Sequence, residues 1–365
     1  MSSADPTVLP IDLKASSVQI TRQLCDIESV SANEAAIADA IEAALTGFDH
    51  LEIIRDGDAI VARTMLGRAQ RVVIAGHTDT VPLNGNLPTR FETEDGVQYL
   101  RGRGTVDMKG GVAVQLKLAA ELVNPIVDLT WIWYDHEEVA SSLNGLGRLA
   151  TNRPELLTGD FAILGEPTNS VVEGGCNGTM RVELRTRGRR AHSARSWVGV
   201  NAIHGAGQIL QTLAGYLPRE IEVDGLTYRE GLNAVAISGG VAGNVIPDEC
   251  VVTVNYRFAP DTSPEAAEAH LRDVFAGVDL QVTDSAAGAR PGLDAPLAQQ
   301  FLAAVGGQAK PKYGWTDVAR FSALGIPAVN YGPGDPLLAH ADDERVAIEQ
   351  IIQCEAGLRS WLERR

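Results

Sequence analysis

Apolar positions recur at helical spacing from Val18 to Leu45, through Ile20, Leu24 and Ile27 and then Ile37, Ile41 and Leu45. Ser31 and Asn33 interrupt that run, and Glu34 stands near the start of a second helix. HLEIIRDG and DAIVARTML read as strands. RVVIAG, ending at Gly76, is a short apolar run of the kind buried on both faces of a sheet. Residues 83–104, rich in Gly, Pro, Asn and charge, read as a long surface loop. A helix is expected over Lys109–Val123, a strand at DLTWIWY, a helix around Leu146–Ala150 and a strand at FAILG. Strand and helix alternate, and polar residues follow the strand ends, so the fold class is α/β with a mixed sheet.

The pattern changes near Gly174. TMRVELRTRG alternates as a strand, Gly199–Leu217 reads as a helix, and NAVAISGG and ECVVTVNYRF read as two strands. SPEAAEAHLRDVF is a capped helix and VDLQVTD a last strand. The order β-α-β-β-α-β is the ferredoxin-like one. The expected division is therefore discontinuous: residues 1–173 and 290–365 form one domain and 174–289 an inserted one. In the returning segment, Pro296–Val305, ARFSALG, IPAVNYG and a last helix over Glu344–Leu362 complete the α/β pattern.

Composition narrows the function. The chain has 365 residues, with 31 Lys and Arg against 47 Asp and Glu, a net charge of −16. That balance argues against a general nucleic-acid binder. No run of about 18 apolar residues supports a membrane span. The start, MSSADPTVLPIDLKASS, lacks the basic-then-apolar pattern of a secretory leader. Cys25, Cys176, Cys250 and Cys354 are scattered without a CxxC pair, so neither a disulfide framework nor a thiolate metal site is expected. A reducing, cytoplasmic location follows, and a metal would have to be held by His and carboxylates.

Such groups stand just past the apolar strands. His77 and Asp79 follow RVVIAG, and Asp107 lies in RGRGTVDMKGG before a helix. Glu137 and Glu138 follow DLTWIWYDH, Glu166 follows FAILG, and His340 lies in LLAHADDER. His77, Asp107, Glu138, Glu166 and His340 suit two divalent ions, zinc above all and also cobalt or manganese. A carboxylate such as Asp107 can give one oxygen to each ion. Asp79 can orient His77 through its second ring nitrogen. Of the adjacent Glu137–Glu138 pair only one need bind metal, which leaves the other as a base. Singly, each of these residues has an ordinary reading as a cap or surface group; together their recurrence at strand ends favours a site.

Other candidates are more open. His192, between a basic strand and a helix, is either an oxyanion partner or structural. Arg257 is a carboxylate clamp or a surface salt bridge. Asn244 donates to an amide oxygen or shapes a turn, and Thr316 with Asp317 lines a pocket or caps a helix. Arg181, Arg185 and Arg187 share strand parity and read as a solvated face. His50 and His270 read as surface residues, His204 as structural, and His136 as a support for Glu137.

At HTDTVP, GRGTVDMKGG, DHEEV, LGEPT and AHADDERV the chain resembles the M20 family of di-zinc aminoacylases and exopeptidases, in order along most of its length. The resemblance implies one zinc on His77, Asp107 and Glu166 and another on Asp107, Glu138 and His340, with cobalt as a possible substitute. It implies Glu137 as base, Asp79 as orienter and a cis peptide at Asp107–Met108. It also implies a homodimer through the inserted lid domain, with His192 reaching the partner's site to stabilise the oxyanion. Asn244 and Arg257 match lid residues that contact substrate; Thr316 is a further substrate-binding candidate. The implied substrate is a small anionic N-acyl amino acid. Within the family the likeness is greatest to the actinobacterial enzymes that release succinate from N-succinyl-LL-2,6-diaminopimelate. Acetylornithine deacetylase-like and exopeptidase or dipeptidase activities are alternatives. Outside enzymes, a metal-binding or a structural oligomerisation protein of the same fold is opposed by the intact metal set and Glu137.

Overall fold

Strands buried along their whole length organise the first half of the chain. Every residue of Asp128–Tyr134 and of Phe161–Leu164 is buried, as is all of Arg71–His77 beyond Arg71. Such runs need cover on both faces. These strands lie in a computed structural model that describes residues 10–363. The first nine residues, with much of the stretch read as lacking a leader, lie outside the described residues.

The chain divides into two compact units. One runs to Gly174 and takes in Gly292–Lys310 and the residues from Arg320 onward; the other comprises Gly175–Pro291 and Pro311–Ala319. The segment Pro311–Ala319, which sequence patterning assigns to the first domain, therefore packs with the second.

In the first unit an eight-stranded sheet runs in the order Glu52–Asp56, Ala59–Arg63, Asp128–Tyr134, Arg71–His77, Phe161–Leu164, Ala328–Asn330, Val172–Gly174 and Ala309–Pro311. The four strands from Asp128–Tyr134 to Ala328–Asn330 are mutually parallel, whereas Ala59–Arg63 and Val172–Gly174 pair antiparallel. The sheet is mixed, as expected. Helices Ser17–Cys25, Ala35–Leu45, Lys109–Glu121, Pro296–Ala304 and Ile348–Leu362 supply its core partners. Twelve of the thirteen residues of Lys109–Glu121 are buried, the signature of a helix with no solvent face. Phe161, Phe301 and Trp361 form an aromatic cluster with ring centroids 5.0–6.2 Å apart.

The stretch 83–104 is not a plain loop. Arg90–Glu94 and Val97–Arg101 form a hairpin, and Arg345–Ala347 adds a third strand to it. Asp95 and Gly96 both have positive φ, 49° and 81°, as a type I′ hairpin turn requires. The strand at Arg345–Ala347 also moves the start of the last helix from the expected Glu344 to Ile348.

The second unit has a four-stranded sheet in the order Gly231–Gly239, Glu249–Phe258, Gly178–Arg187, Asp279–Ala286, with every neighbouring pair antiparallel. Met180, Val182, Leu184, Val252, Val254 and Tyr256 form its core with Ala206 and Ile209 of Ala202–Gly215 and Ala267 and Leu271 of Pro264–Val274. This is the βαββαβ arrangement. A second Asp-Gly hairpin, Glu220–Val223 with Leu226–Arg229, is an addition that sequence patterning does not predict. His270 is not a plain surface residue: its Nε2 lies 2.9 Å from the Tyr216 hydroxyl.

Candidate metal centre

Register places the chemistry. His77 stands opposite Tyr134 on the parallel neighbour, and Ala75 opposite Leu164 on the other side. The residues that follow these three strands therefore leave the sheet at one edge, the carboxyl end where α/β sheets hold their sites. His77, the loop from Asp135 to Glu138, and Glu166 all emerge there.

Asp107 arrives from a different element. It precedes the helix Lys109–Glu121, and the peptide bond between Asp107 and Met108 is cis. That helix start lies hard against the strand ends: a Cβ on Gly111 would fall 2.1 Å from the Gly165 carbonyl oxygen. Only glycine permits this approach.

The side chains converge. One Asp107 oxygen lies 3.1 Å from His77 Nε2 and the other 3.2 Å from His340 Nε2. His340 Nε2 is also 3.0 Å from Glu138 Oε1. Donor atoms of His77, Asp107 and Glu166 lie within 4.8 Å of one another, as do those of Asp107, Glu138 and His340. A third such group joins His77, Glu137 and Glu138, so the second glutamate faces the same place. All these residues belong to the first unit.

Asp79 is fully buried and holds the adjacent loop. Its Oδ1 accepts the backbone N–H of Glu137 at 3.0 Å and its Oδ2 that of Glu138 at 3.1 Å. The Ser31 hydroxyl donates to Oδ2 at 2.6 Å, and His77 Nδ1 lies 3.4 Å from Oδ1. Burial by itself raises the Asp79 pKa, but bonds and charge from His77, Ser31 and the Glu137 N–H hold it at about 2. Sequence reasoning missed Ser31, which reads only as a helix interruption, and Glu34, whose Oε1 accepts the His136 N–H at 3.2 Å. Both contacts bridge segments far apart in sequence, so no local pattern announces them.

The electrostatics ask for positive charge. Burial disfavours protonated His77, yet Asp107 and Asp79 outweigh it and push its pKa well up. Asp107 and Glu138 raise His340 to about 10. Asp107 is itself held well below the ordinary range, with His340 and His77 overcoming its burial. Several carboxylates thus draw protons onto two imidazoles. A divalent cation satisfies the same field, and imidazole with carboxylate is a donor set for it. The residues fit divalent metals.

The remaining candidates lie in the second unit. His192 Nδ1 accepts the Ala194 N–H at 3.0 Å, so the neutral ring carries its proton on Nε2. The Ser193 N–H donates to the Asn244 carbonyl at 2.9 Å, which makes His192 and Asn244 neighbours. Arg257, mostly buried, gives its Nε to Asn255 at 3.1 Å. Thr316 is buried, and its carbonyl oxygen lies 3.7 Å from Cys176 Sγ. Arg181, Arg185 and Arg187 face carboxylates of Asp284, Glu183, Glu249 and Asp279, the solvated face expected.

Residues 73–364 match the model of peptidase family M20/M25/M40. The chain belongs to this family. Divalent metal use comes with that membership. The chain is 56% identical over 358 residues to a Mycobacterium tuberculosis protein provisionally named succinyl-diaminopimelate desuccinylase DapE, covering 96% of this chain and 99% of that one. It is 46% identical to the succinyl-diaminopimelate desuccinylase of Corynebacterium glutamicum, over 96% and 97% of the two chains. A Staphylococcus aureus tripeptidase has the same fold, with a TM-score of 0.78 at 20% identity over 97% and 98% of the chains.

Proposed function

We propose that this member of the family is a hydrolase that cleaves N-succinyl-LL-2,6-diaminopimelate to succinate and LL-2,6-diaminopimelate, using two zinc ions per chain. Near-full-length identity of 56% and 46% with relatives bearing that activity in their names supports the substrate. The observation that carries the chemistry is Asp107, whose two oxygens face different histidines. His77, Asp107 and Glu166 would hold one ion, and Asp107, Glu138 and His340 the other. Bound zinc supplies Lewis acidity toward the amide carbonyl and toward water.

Glu137 is the base. Asp79 fixes its backbone, which keeps its carboxylate beside the histidine and Glu138 donors. It takes a proton from the attacking water as the water oxygen bonds to the carbonyl carbon. It then gives that proton to the amine nitrogen as the C–N bond breaks. His192, with its proton on Nε2, reaches across the dimer to the partner subunit's site and donates there to the developing oxyanion. Arg257 pairs with a substrate carboxylate and Asn244 and Thr316 complete its binding.

The active form is a cytoplasmic homodimer paired through the second unit. Trp197, Val235 and Ile237, all in that unit, are more than half exposed, an apolar surface of the kind that partners cover. Among the described residues no helix is long and apolar enough to cross a membrane, and all four cysteines are buried and free.

The test is a panel of succinyl-diaminopimelate, acetylornithine and a dipeptide, assayed with zinc restored. The succinylated substrate should show the highest kcat/KM by a wide margin. A preference for acetylornithine or the dipeptide would overturn the substrate while leaving amide hydrolysis in place.

A further inference from the structure

We propose that the buried pair Arg103–Glu344 is a positioning device for the second metal site, the one formed by Asp107, Glu138 and His340. The inference rests on the two-ion reading and adds residues to it that touch no ligand atom.

The two charges are almost sealed from water, with side chains 4% and 1% exposed, and Arg103 Nη1 lies 2.8 Å from Glu344 Oε2. A buried pair of this kind is poor evidence for stability, because desolvation offsets much of the attraction. Its placement suggests another role. Glu344 Oε1 accepts the backbone N–H of Val106 at 2.9 Å and of Asp107 at 3.1 Å. On the other side, Arg103 Nη1 donates to the Ala341 carbonyl at 3.2 Å and Nη2 to that of His340 at 3.4 Å. One ion pair thus grips the main chain of both Asp107 and His340, residues more than 200 positions apart. The Gly102 N–H adds a third tie, to the Glu344 carbonyl at 3.0 Å.

The His340 loop needs such a grip. His340 has φ +64°, and its side chain is half exposed. From Ala341 to Glu344 the loop's own backbone hydrogen bonds, Ala341 to Leu338 at 3.2 Å and Glu344 to Ala341 at 3.3 Å, are comparable in length with those from Arg103. The first site depends on the pair only through the backbone of the shared Asp107, since His77 ends one central strand of the sheet and Glu166 follows another. Loss of the Arg103 hold on the His340 loop, with an oxygen kept at position 344 for the Asp107 N–H, should therefore loosen the second site more than the first.

The experiment is titration of the metal-free protein with Zn²⁺ by calorimetry and with Co²⁺ by visible absorption, which resolves two binding steps. Arg103→Met alone strands the Glu344 charge, so the double variant R103M/E344Q is made alongside it; the glutamine amide keeps an oxygen for the two N–H groups. His340→Ala serves as the reference for loss of the second site, and melting of the metal-free proteins checks folding. The expected result is a weakening of one step by about 10–100-fold, the step that His340→Ala abolishes, with the other step within about threefold. Unchanged affinities in a folded double variant, or equal weakening of both steps, would overturn the proposal. Uptake of fewer than two ions by the unsubstituted protein would instead bring down the two-ion reading beneath it.

Discussion

The strand Asp128–Tyr134 carries acids at both ends, and the two ends differ in kind. At its start, Asp128 accepts the Leu66 and Arg68 N–H groups at 2.8 Å each and the Thr64 hydroxyl at 2.9 Å. Neutral donors, with the Arg71 guanidinium 3.8 Å away, satisfy that carboxylate, and it is a fold element. Past its finish, Glu137 and Glu138 join Asp107, Glu166 and two histidines in groups of three whose ligand atoms lie within 4.8 Å of one another. There the acids face two imidazoles, and both histidines are driven toward the protonated form. An acid satisfied by backbone N–H groups belongs to the architecture. A cluster of acids and imidazoles whose ligand atoms converge on one place suits an added cation and belongs to the chemistry.

Substitutions at the two ends should separate activity from stability. The largest effect is expected for Glu137→Gln: both ions stay bound, measured by metal analysis, while kcat falls by about 10²–10⁴-fold. Near-normal turnover would remove Glu137 as base. His340→Ala should lose one of two ions in calorimetric titration, with activity falling alongside and the melting temperature of the metal-free protein little changed. Arg257→Ala, in the other unit, should raise KM for a dicarboxylic substrate by about tenfold or more, the worth of one charged hydrogen bond, and leave metal content alone. If KM holds, Arg257 is not a substrate contact.

The smallest effect belongs to the other end of the strand. Asp128→Asn offers one acceptor oxygen where two were in use, so denaturant unfolding should show a loss of about 1–2 kcal/mol with unaltered kcat. Burial raises the Asp128 pKa, but the Leu66, Arg68 and Thr64 bonds and the Arg71 charge hold it below its ordinary value. Its contribution is present above the unfolded value, about pH 4, and is lost as pH falls through the lower folded value. The variant should therefore show a flatter acid limb in melting temperature against pH.

Much of this is legible along the chain, and the lapses are instructive. RVVIAG, DLTWIWY and FAILG are continuous apolar runs, and a strand buried on both faces has no other composition open to it. Both hairpins that sequence patterning misses, at 90–101 and 220–229, turn on Asp-Gly pairs, Asp95–Gly96 and Asp224–Gly225, with positive φ at each residue. The signal is local and present, masked by charged strands that look like loop. Helical spacing in ERVAIEQII places Glu344 at the start of the last helix. Pairing of Arg345–Ala347 with Val97–Arg101 overrides that preference.

By itself the sequence determined the α/β class, the βαββαβ order of the second unit and the choice of five metal-binding candidates with an adjacent candidate base. Periodicity and strand-end position are properties of a few adjacent residues, and these readings need nothing more. Only the tertiary structure decided that Asp107 faces His77 with one oxygen and His340 with the other, that Asp79 commits its carboxylate to the Glu137–Glu138 backbone, and that Arg103 reaches across to Glu344. Such contacts join segments tens to hundreds of residues apart. Their geometry is set by how the strands register and the loops close, which no stretch of sequence contains.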